Sequence, residues 1–202
     1  MIIGLTGGIA SGKSTVSRIL QELGAQIIDT DQLARQVVAP GQPAYREIVA
    51  TFGRQILQAD GSLNRRALGR IVFNDAAARE RLNAIIHPRI RELAAKQIEA
   101  WRQKDPEAVI VIEAPLLLEA GMDAQVDVIW VVTAPQALRL ERIRRRDKLS
   151  REEAESRLRS QKAGEAERLK RATVVIDNSG DLQATRAAVL AAWQDLVGAE
   201  KK

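Results

Sequence analysis

Residues 7–14, Gly7-Gly8-Ile9-Ala10-Ser11-Gly12-Lys13-Ser14, fit the phosphate-binding pattern G-x-x-x-x-G-K-[ST]. The flanking residues decide how that pattern is read. The apolar run Met1-Ile2-Ile3-Gly4-Leu5-Thr6 leads in as a buried strand, and the amphipathic Thr15-Val16-Ser17-Arg18-Ile19-Leu20-Gln21-Glu22-Leu23 leaves as a helix. A glycine-rich turn that merely started a helix has no need of Lys-Ser in register behind an apolar strand. The glycines let the backbone curl with its N–H groups inward as an anion nest, and the following helix adds its positive end at the same spot. Lys13 reaches the outer phosphates, the Ser14 hydroxyl suits Mg²⁺, and Thr15 and Val16 close the first turn behind them. A chain with this segment binds a nucleoside triphosphate.

The remainder of the composition narrows the class. The chain has 202 residues, enough for one domain with elaborations or insertions, and a chain of this size buries roughly 70% of its unfolded surface without staples. It has no cysteine, which excludes disulfides and thiolate metal sites and agrees with a reducing cytoplasm. Its apolar runs fall short of the roughly 18 residues that a spanning helix needs. The N-terminus enters the phosphate loop directly and leaves no room for a cleaved signal, so a cytoplasmic location is expected. The formal net charge is +5, and Arg139, Arg142, Arg144, Arg145 and Arg146 cluster. None of the chain's two Phe, one Tyr and three Trp lies in that cluster, so bases have nothing to stack on there and no nucleic-acid partner is expected. The cluster reads either as a solvated helix face or as phosphate handling near the loop.

Five short β-branched runs stand out: Ile2–Thr6, Gln26–Asp29, Val109–Glu113, Val128–Thr133 and Thr173–Asp177. Near-continuous apolar character marks strands buried on both faces, and helical patterns separate them, which predicts an α/β fold with a doubly wound, five-stranded parallel sheet. Ligands on such sheets sit beyond the carboxyl ends of strands. The gap between the second and third strands is too long for one crossover. It reads as a helical insertion over 32–106, with helices at Gln32–Val38, Pro43–Phe52, Arg65–Phe73, Ala76–Ile86 and Pro88–Lys104, punctuated by Gly41-Gln42-Pro43, Ala59-Asp60-Gly61 and His87-Pro88. An insertion there is expected to bind the second substrate, leaving 1–31 and 107–202 as the nucleotide-binding core. A second excursion, Arg139–Arg171, is densely charged, starts a helix at Ser150-Arg151-Glu152-Glu153, and suits a mobile lid.

Several residues beyond the loop have the chemistry such a site needs. Asp29-Thr30-Asp31 ends the second strand; paired carboxylates beside a phosphate loop hold Mg²⁺ or accept the proton of an attacking hydroxyl, while an Asp there also caps the next helix. Glu113 closes the third strand after four apolar residues, where a magnesium-side acid is expected, directly or through water. His87 is the only histidine; before a proline it shapes a helix break or contacts substrate, with Arg89 beside it to pair with an anionic group.

These residues together resemble the dephospho-coenzyme A kinases. Ile3 to Ser14 is similar to that family's Gly-Leu-Thr-Gly-Gly-Ile opening, Ile28-Asp29-Thr30-Asp31 with Ala34-Arg35 to its Asp-x-Asp strand end, and Ile85-Ile86-His87-Pro88 to its His-Pro signature. Glu113-Ala114-Pro115-Leu116-Leu117-Leu118-Glu119 resembles its Pro-Leu-Leu segment, and Asp177-Asn178-Ser179-Gly180 its late turn near adenine. Arg142 and Arg146-Asp147 match its lid arginines, and Arg157-Leu158 with Gln161 a motif further along. Ala10 stands where glycine is frequent and Ala114 where valine or isoleucine is commoner.

The resemblance implies transfer of the ATP γ-phosphoryl group to the ribose 3′-hydroxyl of dephospho-coenzyme A, on a P-loop kinase fold with core, substrate domain and lid. It makes Asp31 the base, Lys13 and Arg142 the charge-neutralising groups, and Ser14 the Mg²⁺ ligand. Asn178 and Gly180 would join the loop around ATP. Thr6, His87, Arg89, Glu113, Pro115, Leu116 and Gln161 would meet the acceptor. The partners implied are small molecules, with the chain a monomer or weak homo-oligomer. A kinase for a simpler alcohol would not need so large an insertion, and a guanine-reading switch would carry an Asn-Lys-x-Asp turn, which the sequence lacks.

Overall fold

The apolar runs become strands β1 (Ile2–Gly7), β2 (Gln26–Asp29), β3 (Ile110–Glu113), β4 (Val128–Thr133) and β5 (Val174–Asp177) in the computed structural model, which describes residues 1–160 and 164–199. They form one sheet in the order β2-β3-β1-β4-β5. Ile2 lies opposite Ile110 on one side of β1 and Ile3 opposite Val128 on the other, both in parallel register. All six residues of β1 are buried, as a central strand covered on both faces requires. The expected five-stranded parallel sheet is therefore present, with β1 extended through Gly7.

Helices α1 (Lys13–Glu22), α2 (Thr30–Val37), α3 (Pro43–Phe52), α4 (Arg65–Asn74), α5 (Ala76–Lys104), α6 (Gln136–Asp147), α7 (Arg151–Ser160), α8 (Glu165–Lys170) and α9 (Leu182–Ala199) fill the intervals. Val16, Ile19 and Leu20 of α1 and Val189 of α9 pack with Ile3, Leu5, Val111, Trp130, Val132 and Ile176 in one core. Each such side chain contributes roughly 1.5–3 kcal/mol by leaving water. Leu117 and Val126 press directly on the backbone of β1: a β-carbon at Gly4 would lie 2.7 Å from Leu117 Cδ2.

The chain divides into two compact units, Met1–Ile28 with Trp101–Lys202, and Asp29–Ala100. The first holds the sheet. The second is helical and buries Leu33, Ile48, Phe52, Ile56, Leu68, Ile85 and Ile90.

Two local expectations are overturned. The anticipated break at His87-Pro88 is absent, and α5 runs unbroken from Ala76 to Lys104 with Pro88 inside it. A proline removes one backbone donor and crowds the preceding turn. Here Pro88 is exposed, the buried stripe continues past it through Ile90, Ala94 and Ile98, and Arg89 Nη1 donates to the Ile85 carbonyl at 2.6 Å. Packing along the whole stripe outweighs the local penalty. The second correction concerns Asp29-Thr30-Asp31. The strand stops at Asp29 and α2 begins at Thr30, two residues before the expected start, because Asp29 Oδ1 accepts from the amides of Asp31 (2.8 Å) and Gln32 (3.2 Å). Asp29 is the N-cap.

The start of α7 follows its sequence signal. Ser150 Oγ accepts from Glu153 N at 3.2 Å, and Glu153 Oε2 accepts from Ser150 N at 2.8 Å, a reciprocal capping box.

Candidate active site

The loop of residues 7–14 leaves the carboxyl end of β1, the middle of the sheet, and its shape follows from where its carbonyls are held. Lys13 Nζ donates to Gly7 O (2.9 Å) and Gly8 O (3.4 Å), and Ser11 N donates to Gly8 O (3.1 Å). Arg139 Nε donates to Ile9 O at 3.0 Å. Arg142 Nη1 donates to Ala10 O and Ser11 O, each at 3.3 Å, and Asn178 Nδ2 donates to Ser11 O at 2.8 Å. Each carbonyl from Gly7 to Ser11 thus accepts from a named donor, so the amides are what the loop presents to an anion.

Two glycines are obligatory for packing reasons. Gly12 has φ 98°, and a β-carbon there would collide with Asn178 Nδ2. At Gly7 it would collide with the Val132 carbonyl. Ala10 occupies the left-handed region at φ 57° without being glycine. Ser11 Oγ is buried with no hydrogen-bond partner among the described residues, an orphaned donor within the phosphate loop.

The arginine cluster divides sharply. Arg139, on the first turn of α6, is only 5% exposed and binds Glu165 Oε1 of α8 at 2.9 Å as well as the loop. Arg142, one turn on, also reaches the Asn178 carbonyl with Nη2 at 3.0 Å. Arg144, Arg145 and Arg146 are exposed. Arg146, one turn beyond Arg142, binds Asp147 (2.7 and 3.0 Å) and not the loop, and Asp147 also accepts from Arg157 at 2.8 Å. The hydrogen bond from Arg146 holds the Asp147 carboxyl below the usual carboxylate range. Beneath α6, Ile143, Ala154 and Leu158 form a small core that packs against Ile9 and Ala10 of the loop.

Asn178 follows β5 and is buried. Its Oδ1 accepts from Thr185 Oγ1 at 2.8 Å, so both ends of its amide are engaged in propping the loop. Gly180 lies exposed two residues on. Thr6 is fully buried, with Oγ1 3.5 Å from the Pro115 carbonyl, and Glu113 is half-buried at the end of β3, opposite Leu5. Pro115 is half-buried and Leu116 exposed. Arg139 and Thr185 were missed as loop supports by sequence reasoning; the spacing of Arg139 three residues before Arg142, on one helix face, was the available signal for the first.

The remaining residues belong to the helical unit. Asp31 is exposed in the first turn of α2, and its carboxylate meets no hydrogen-bond donor among the described residues. His87 is half-buried in the middle of α5. Arg89 Nη2 pairs with Glu47 Oε2 of α3 at 2.7 Å. Gln161 lies outside the described residues. No helix among the described residues is long and apolar enough to cross a membrane.

Residues 1–184 match the model of a protein family described as dephospho-CoA kinase. The chain is 67% identical, over 195 residues, to a dephospho-CoA kinase of Moorella thermoacetica, spanning 96% of this chain and 92% of that protein. Among solved structures it is similar to TT1252 of Thermus thermophilus, with a TM-score of 0.81 and 35% identity over 97% of both chains. It is also similar to the dephospho-CoA kinase of Campylobacter jejuni, with a TM-score of 0.72 and 30% identity over 98% of both.

Proposed function

Because the chain belongs to the dephospho-CoA kinase family, we propose that Asp31 takes the acceptor's proton while Lys13 and Arg142 offset the charge on the transferring phosphoryl group. The reaction is transfer of the γ-phosphoryl group of ATP to the ribose 3′-hydroxyl of dephospho-coenzyme A, giving coenzyme A and ADP, the last step of coenzyme A biosynthesis. In such a transfer the protein does little covalent chemistry, and its task is positioning and electrostatics.

The observation that carries the role of Asp31 is the cap of α2. Asp29 fills the capping position, which leaves the Asp31 carboxylate uncommitted among the described residues and able to accept a proton. The carbonyl-anchored loop supports the ATP side: residues 8–14 receive the phosphates, with Thr15 and Val16 opening α1 and Asn178 and Gly180 near the base. Lys13 already rests on the loop, and its ammonium has only to exchange carbonyls for phosphate oxygens. Ser14, exposed in the first turn of α1, fits Mg²⁺, a hard cation that keeps several waters and takes most of its other oxygens from phosphates. The ion, when bound, neutralises triphosphate charge; Glu113 would act on it directly or through water. We assign acceptor contacts to Thr6, Glu113, Pro115 and Leu116 in the sheet unit, and to His87 and Arg89 in the helical one, with Gln161. The segment 139–171 is read as the lid. The proposal places the enzyme in the cytoplasm as a monomer or weak homo-oligomer with no nucleic-acid partner.

Asp31→Asn in a coupled ADP-release assay tests the central assignment. Loss of a general base is expected to lower kcat by about 10²- to 10⁴-fold with the KM for ATP nearly unchanged. An unchanged kcat with a lower Tm would return Asp31 to a local structural role.

A further inference from the structure

In the helical unit a cavity of about 460 Å³ is lined by Arg35, Arg65 and Arg66 together with Gln58, Ser62 and Asn64. Among the described residues none of the three guanidinium groups lies within salt-bridge distance of a carboxylate, while eleven of the other arginines and lysines do take part in such pairs. Three like charges around one hollow repel one another, and each stays hydrated at the expense of the others' approach; an anion in the hollow reverses the sign of that interaction. Arg65 and Arg66 also occupy the first turn of α4, where the helix dipole disfavours cations and no acidic residue compensates. Local stability alone would not favour this arrangement.

The cavity's place on α2 identifies the anion. Arg35 stands four residues after Asp31, so the two occupy one face of the helix with β-carbons about 5–6 Å apart. Thr30, Leu33 and Val37 turn the opposite face inward. Dephospho-coenzyme A carries its 3′-hydroxyl and its 5′-diphosphate on the same ribose, separated by a distance comparable with one helical turn, about 5.4 Å. An acceptor whose hydroxyl meets Asp31 therefore carries its diphosphate toward Arg35 and the hollow beyond it. We propose that Arg35, Arg65 and Arg66 form the subsite for the diphosphate of dephospho-coenzyme A. This inference rests on Asp31 being the group that meets the 3′-hydroxyl. It names the residues that make the enzyme select a nucleoside diphosphate ester over a bare nucleoside: planar guanidinium forks match phosphate oxygens in pairs.

The test compares the parent enzyme with the double variants Arg65→Ala/Arg66→Ala and Arg65→Lys/Arg66→Lys, measuring KM for dephospho-coenzyme A and for ATP separately, with Tm as the control for folding. The alanine pair is expected to raise the KM for dephospho-coenzyme A about 10- to 100-fold, the range for lost charge-assisted hydrogen bonds. The KM for ATP should stay unchanged, the Tm should hold or rise as the like charges in the first turn of α4 are removed, and the lysine pair should recover part of the loss in affinity. Adenosine, which offers the hydroxyl without the diphosphate, is expected to compete with dephospho-coenzyme A equally well in parent and variants. An unchanged KM for dephospho-coenzyme A overturns the subsite. So does a parallel rise in the ATP KM, or a parallel weakening of adenosine, since either means that the arginines act through the fold or on another group. If Asp31→Asn leaves kcat intact, the catalytic assignment fails on its own measurement, separately from these.

Discussion

Replacing Arg139 by methionine is the sharpest probe of how the phosphate loop is held. The guanidinium is 5% exposed and makes two bonds of different worth. The one to the Ile9 carbonyl, 3.0 Å, is charge-assisted and out of water, a class worth about 1.5–3 kcal/mol. The one to Glu165 ends on a side chain 38% exposed, which rehydrates when its partner leaves, so its loss adds at most about 1 kcal/mol. Methionine fills the stem's volume and removes a costly buried charge, which returns part of the total. The net expectation is a loss of about 2 kcal/mol, equivalent to a Tm fall of about 4–8 °C for a chain of this size. Trp130 lies in the sheet core and Trp193 packs against it, so tryptophan fluorescence follows the melting of that core. The same variant should raise the KM for ATP, because the Ile9 carbonyl is released to turn toward the anion. Glu165→Gln should lower the Tm by no more than about 2–4 °C, following from the smaller loss assigned to that pair. A fluorescence midpoint within about 1 °C of the parent, with ATP binding unaltered, would show that the guanidinium is not what holds the loop.

Other expectations follow from the same geometry. Arg142→Lys should lower kcat at least about tenfold, since one ammonium cannot span the Ala10, Ser11 and Asn178 carbonyls that the guanidinium bridges, whereas the exposed Arg144→Lys should be silent in the same assay. Ala10→Gly, unlike most such changes, should not lower the Tm: relief of the left-handed φ of 57° offsets the usual loss of about 0.5–1 kcal/mol. The Asp147 carboxyl is held below its ordinary range, chiefly by Arg146, so its contribution is complete above the unfolded pKa and is lost as pH falls through the lower folded value. Asp147→Asn should therefore cost about 0.2–1 kcal/mol at neutral pH, and the difference from the parent should vanish in acid melts.

The sheet was legible because its strands are short, near-continuous apolar runs, with β2 the weakest at Ile27-Ile28, and the phosphate loop because its spacing is a mechanical requirement. Less legible were features decided by competition. Pro88 reads as a break, yet Ile90, Ala94 and Ile98 continue one buried stripe and hold α5 together. Asp29 and Asp31 are chemically equal in the sequence; only the amides that Asp29 captures separate a cap from a candidate base. The i, i+3 spacing of Arg139 and Arg142 marks their shared face, but the partner Ile9 lies 130 residues away, and the arginine-lined hollow gathers Arg35 with Gln58 and residues 62–66, which no local pattern joins.

The position of β1 also sets the order in which the molecule can be assembled. The first strand to leave the ribosome is the one that ends in the middle of the sheet: Ile2 waits for Ile110, and Gly7 for Val132. The prop that closes the loop, Asn178 on the Ser11 carbonyl, joins residues 167 apart. Contacts so distant in sequence form late, since the chain between them must be ordered first. The helical unit of residues 29–100 is built from neighbours along the chain and can fold while its parent is still being synthesised. The nucleotide loop is complete only when Asn178 reaches the Ser11 carbonyl, so ATP, which binds the completed loop, stabilises the fully assembled sheet unit.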